Sequence, residues 1–126
     1  MFARLARLLG AGAFVALAAA CLSPTLPLPP PDAADNIETG SIDTEWIVRG
    51  ACVEGAEVVV LNEATGIGAA FEDRDGFGHY SVVIKGNRCD LVSVRQSVGN
   101  ESSNETTFVL QETTNGTVDD PVACAP

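Results

Sequence analysis

Only one histidine, one tryptophan and one tyrosine occur in the 126 residues, and seven basic residues face 17 acidic ones, a net charge of −10. Each shortage excludes something. A surface of that sign repels phosphate backbones, which argues against nucleic acid as a partner. A Ser–His–Asp site would have to use His79, yet no Gly-x-Ser-x-Gly motif is present, and a lone His beside a turn is usually a solvated strand residue. No catalytic residues are therefore expected. The four cysteines include no Cys-x-x-Cys pair, so a zinc site lacks its usual ligand spacing, and neither metal nor cofactor is expected. After residue 20 there is no long apolar run, so nothing downstream is expected to span a membrane. No amphipathic helix pattern of useful length follows either.

What is present begins at the N-terminus. Arg4 and Arg7 form a short basic region, and Leu8 to Ala20 is apolar without a charge. That order predicts a secretory signal peptide over residues 1–20. Ala18-Ala19-Ala20-Cys21 stands where cleavage should fall, and it resembles the bacterial lipobox, in which small residues precede a cysteine that is diacylated and becomes the new N-terminus. The lipobox usually has Leu three places before the cysteine; here Leu17 is four places before it. The resemblance implies lipidation at Cys21 and anchoring to a membrane, since acyl chains contribute about 0.8 kcal/mol per buried methylene. Leu22 follows the cysteine where an Asp would resemble an inner-membrane retention signal, which leans towards the outer membrane. The alternative is an ordinary signal peptide cut near a cysteine, giving a soluble secreted protein.

Removing residues 1–20 takes away two arginines and no acid, leaving five basic residues against 17 acidic ones, a net charge of −12. About 106 residues remain (126 minus 20), enough for one domain with a modest core. Disulfides would support such a core, and export permits them.

Residues 21–44 read as a lipidated cysteine followed by a tether. Pro24, Pro27, Pro29, Pro30 and Pro31 favour extended polyproline geometry, at about 3.1 Å per residue, and the acidic stretch after them has few apolar residues. From Glu45 the composition changes. Strand-like runs occupy Glu45 to Arg49, Glu57 to Asn62, Ile67 to Glu72, His79 to Lys85, Leu91 to Arg95 and Thr106 to Gln111. Turn signals separate them, among them Glu54-Gly55, Asp75-Gly76 and Gly86-Asn87. This predicts an all-β fold: a small antiparallel β-sandwich of six or seven strands over residues 45–112, with a polar, irregular tail over 113–126.

Gly55-Ala56-Glu57-Val58-Val59-Val60, Asn62 to Gly66, Asp75-Gly76 with Tyr80-Ser81-Val82, and Asp90 to Val94 together resemble a common module. It is the carboxypeptidase-regulatory-like and bacterial immunoglobulin-like β-sandwich of exported proteins. The resemblance covers about residues 46–98 and departs after Val94, where a Gly-aromatic pair that often follows is missing. It implies a structural, spacing or binding unit without catalysis.

Asp73-Arg74-Asp75-Gly76 resembles part of a calcium loop, but the twelfth position counted from Asp73 is Ile84 rather than Glu. The sequence favours a hairpin turn in which Gly76 takes positive φ and Asp75 bonds the local backbone. Trp46 reads as a core aromatic. Asn100-Glu101-Ser102, Asn104-Glu105-Thr106 and Asn115-Gly116-Thr117 match the glycosylation pattern, which carries no expectation in a bacterial lipoprotein.

Strand direction selects a disulfide. If Cys21 is acylated, three cysteines allow one bridge. With strands running alternately down and up, as successive hairpins would run them, Cys52 lies at one end of the sandwich and Cys89 at the other, about 20 Å apart for a six-residue strand. A bridge needs Cα atoms within about 7 Å. The strand ending at Gln111 delivers the tail beside Cys89, which favours Cys89–Cys124; the tail is also long enough to leave Cys52–Cys124 open.

The expected protein is a lipid-anchored module in the bacterial cell envelope, at the outer membrane. Its partners would be the membrane, through the lipid, and an unidentified envelope protein or glycan. The alternative is a secreted domain with two disulfides, an inhibitor or adhesin-like unit.

Overall fold

In the computed structural model, which describes residues 26–126, two antiparallel sheets pack face to face and no helix forms. The residues expected to form the signal peptide, and Cys21, lie outside the described part. Alternation builds the long strands, because each places one row of side chains against the core and the other in water. β2 (Glu45–Ala51) buries Trp46, Val48 and Gly50, and β3 (Glu57–Asn62) buries Val58, Val60 and Asn62. β5 (His79–Lys85) buries Tyr80, Val82 and Ile84, and β6 (Leu91–Val98) buries Val92, Val94 and Gln96. β4 (Ile67–Glu72) and β8 (Thr106–Val109) cover them less completely. With β1 (Asn36–Thr39) these make seven strands of four residues or more. Three two-residue strands complete the fold: β7 (Glu101–Ser102), β9 (Thr113–Thr114) and β10 (Thr117–Val118).

One sheet has the order β10-β9-β1-β2-β5; the other has β4-β3-β6, with β7 and β8 both on the free edge of β6. Core packing is tight enough to dictate a glycine. Gly50 pairs with Tyr80, and a Cβ at Gly50 would lie 2.6 Å from the Tyr80 hydroxyl. Trp46 is buried, as its setting in β2 predicts, and its indole N–H donates to the Gly86 carbonyl at 3.0 Å.

The connections are not the successive hairpins expected from the sequence. β2 to β3, β4 to β5 and β5 to β6 each cross from one sheet to the other. Direction still alternates along the chain, because an arch between facing sheets reverses the chain as a hairpin does. The sandwich therefore has two distinct ends. The entry end holds residues 26–35, the β2–β3 and β4–β5 arches, the β6–β7 turn and the β9–β10 tip. The far end holds the β1–β2 and β3–β4 turns, the β5–β6 arch and the C-terminal residues.

Two boundaries differ from expectation. Of the expected tether, residues 26–44 are not free but are built into the domain. Pro31, Ala34 and Ile37 are buried, and β1 pairs with β2 from Asn36↔Arg49 to Thr39↔Trp46. The C-terminal stretch is not wholly irregular: it carries the β9–β10 hairpin, which joins β1 through Ile37↔Thr113. Both are hidden in the sequence for the same reason. An edge strand needs only one or two inward side chains, so its polar remainder reads as loop.

Candidate functional site: the entry end around Cys52

The site forms where the proline segment crosses the end of the sandwich. The inward row of β6 runs Val92, Val94, Gln96, so a polar side chain occupies what would be the next core position. A buried amide must find partners. Gln96 accepts from the Val53 N–H at 2.7 Å and donates to the Pro29 carbonyl at 2.8 Å. Thr106 donates its hydroxyl to the Pro31 carbonyl at 2.5 Å. Proline has no N–H to give a sheet, so the hydrogen bonds that hold Pro29 and Pro31 are accepted by their carbonyls. Pro29 to Asp32, Ala51, Cys52, Val53 and Gln96 line a shallow cleft of about 260 Å³. That is below the usual range for a small-molecule pocket, about 300–1,000 Å³.

The neighbouring β4–β5 arch is organised by Asp73. Its Oδ2 accepts from the Gly78 N–H at 2.8 Å and the Gly55 N–H at 3.0 Å, tying the two arches of this end together. These backbone donors, that of Gly55 foremost, hold the carboxyl below its ordinary range, since they favour the charged form. Asp75 accepts from the Phe77 N–H at 3.1 Å, and Gly76 has φ +72°, the left-handed geometry expected of it. The turn is not the hairpin predicted, because β4 and β5 belong to different sheets.

Cys52 is half-buried and has no disulfide partner among the described residues. Burial pushes its thiol up, with the Asp73 and Asp75 carboxylates adding to the shift. A thiol so placed stays protonated near neutral pH and is a weak nucleophile. His79 is exposed. Among the described residues no group of three or more His, Cys, Asp or Glu side chains is placed to hold a metal ion.

The other sequence-predicted residues lie at the far end. Cys89 and Cys124 form a disulfide with Cα atoms 5.3 Å apart. β8 delivers the chain there: the Leu110 N–H donates to the Asp90 carbonyl and the Cys89 N–H to the Leu110 carbonyl. Arg88 donates to Glu112 at 2.6 Å and lies 5.4 Å from the centre of the Trp46 ring, closing the same end. This guanidinium holds the Glu112 carboxyl below its ordinary range.

Gln96, Asp73 and the proline carbonyls do not stand out as site residues in the sequence. Gln96 leaves a signal, since it continues the alternation of Val92 and Val94. The contact it makes with Pro29 leaves none. No protein-family model matches the chain, and neither a curated protein nor a solved structure shows significant similarity to it.

Proposed function

We propose that this chain is an exported, lipid-anchored protein of the bacterial cell envelope whose β-sandwich serves as a non-catalytic binding or structural module. The observation that carries the reading is the order of Arg4 and Arg7, the uncharged apolar stretch Leu8 to Ala20, and Ala18-Ala19-Ala20-Cys21. The Cys89–Cys124 bridge supports export, because disulfides persist in oxidising compartments. The resemblance to exported β-sandwich modules agrees with a binding or spacing role. So does a site in which Gln96 and the Asp73 Oδ2 both bond main-chain partners.

One observation favours a second reading, a soluble secreted domain with two disulfides. Cys52 has no disulfide partner among the described residues and lines the same cleft as Pro29, and Pro29 is eight residues from Cys21 (29 minus 21). An unacylated Cys21 would be within reach of it.

Mass spectrometry of the mature N-terminal peptide separates the two. A diacylglyceryl-modified Cys21 in the membrane fraction, lost to the soluble fraction or left unprocessed in Cys21→Ser, is the expected result. A Cys21–Cys52 peptide from soluble protein would overturn the anchor in favour of the secreted domain.

A further inference from the structure

Phe77 is 75% exposed at the tip of the β4–β5 arch, and the arch is built to keep it there. Gly76 and Gly78 flank it with φ of +72° and +78°. A Cβ at Gly78 would lie 3.0 Å from the Cys52 carbonyl, so the backbone packs closely at this point. Asp75 fixes the Phe77 N–H, and Asp73 fixes that of Gly78. A large aromatic side chain is thus presented to the outside by a short arch held on both sides. Val98, 40% exposed, lies where β6 ends, and Leu26, 90% exposed, begins the described chain. All three belong to the entry end. The hydrogen bonds Cys52 N–H to Gly78 carbonyl, Val53 N–H to Gln96 and Gln96 to Pro29 join these segments in series.

We infer that the entry end rests on the lipid surface that holds the anchor, with Phe77 buried among the headgroups and upper acyl chains. This rests on the lipid anchor proposed above. The occupant follows from chain length. Five residues separate Cys21 from Leu26 (26 minus 21), which at about 3.6 Å each span at most about 18 Å. Pro29, bonded to Gln96, is three residues further on. An acylated Cys21 therefore keeps this end beside the bilayer at a high effective concentration, so a small apolar contact is enough to be populated. The far end also exposes apolar residues, Ile42, Ile67, Leu91 and Val122. They lie a further strand length away, about 23 Å for a seven-residue strand, beyond the roughly 18 Å that Cys21 to Leu26 can span, so turning that end to the membrane would mean peeling the chain off the domain as far as Pro29, which Gln96 holds. The entry end carries Asp32 beside the cleft, Glu54 near Gly78 and Asp75 on the Phe77 N–H, and the protein is acidic as a whole. The surface it fits is zwitterionic, and anionic lipid would repel it within a Debye length.

The test uses the processed lipoprotein in phosphatidylcholine vesicles, with and without brominated acyl chains. Phe77→Trp places a reporter at the arch, and Ile42→Trp places one at the far end as a control. Trp46 is buried in the core, and the emission of the unsubstituted lipoprotein, which holds Trp46 alone, is the baseline subtracted from each variant. Bromine quenching and a blue shift of the residue-77 signal, with none at residue 42, is the expected result. Hydrogen exchange on the unsubstituted lipoprotein is the second measurement. Residues 75–78 should slow on vesicles while residues 41–44 do not. Vesicle-bound protein with acylated Cys21 but no quenching at 77, or with quenching at 42, overturns this inference and leaves the anchor standing. Protein that neither floats with vesicles nor carries an acyl mass overturns the anchor and this inference with it.

Discussion

Gln96 donates its side-chain amide to the Pro29 carbonyl at 2.8 Å across 67 residues of chain, while its oxygen accepts from the Val53 N–H. One buried side chain thus fastens the proline segment to the β2–β3 arch. Gln96→Leu keeps the bulk and removes both bonds, leaving the Val53 N–H without its acceptor. We expect a loss of about 1–3 kcal/mol in urea unfolding. Limited proteolysis should then cut within residues 26–33 faster than in the parent protein. Unchanged cleavage would show that the segment is held without Gln96.

The two glycines of the β4–β5 arch differ in what surrounds them. A Cβ at Gly76 meets nothing within 4 Å, so Gly76→Val carries mainly the backbone cost of positive φ in a β-branched residue, about 1–2 kcal/mol. Gly78→Val adds a collision with the Cys52 carbonyl and should cost more. Thermal unfolding of the pair checks the order, and a larger loss at Gly76 would contradict it. Chelators should leave the melting temperature unchanged in both.

The Cys89–Cys124 bridge spans 35 residues of sequence. Cys124→Ser should destabilise the domain by roughly 2–4 kcal/mol, through the constraint it removes from the unfolded chain. Non-reducing peptide mapping of the parent should return the Cys89–Cys124 pair. A Cys52–Cys124 peptide in its place would mean that the C-terminal residues turn to the entry end.

Asp73 and Glu112 both have carboxyls held below the ordinary range, the first by the Gly55 and Gly78 N–H groups and the second by Arg88. A depressed folded-state value means that the charged form is favoured by folding. The stability it contributes is complete above the unfolded value, about 4, and is lost as pH falls through that value towards the lower folded one. Melting temperature should therefore drop on acidification below about pH 4. Asp73→Asn should flatten that dependence while lowering stability at neutral pH. An unaltered pH profile in the variant would remove Asp73 from this account.

Much of the architecture is legible in the residues themselves. The inward rows Val58–Val60 and Tyr80–Val82–Ile84 announce themselves by alternation, since a half-buried strand has to repeat every two residues. The Cys89–Cys124 pairing is legible through chain direction, even though arches between sheets stand where hairpins are expected. Each arch still reverses the chain, so Cys52 and Cys89 fall at opposite ends either way.

The sequence by itself determined the long strands, the turn glycines, the core position of Trp46 and the N-terminal features on which the export reading stands. These are local properties, set by side-chain period, backbone sterics and composition within a few residues. Only the tertiary structure decided that the proline segment is part of the domain, that β1 and β9 pair, and that Gln96, Asp73 and Cys52 meet at one end. Those depend on which backbone groups face each other between segments far apart in the chain. A short run such as Asn36 to Thr39, polar apart from Ile37, carries no mark of the partner that will satisfy its N–H and C=O groups.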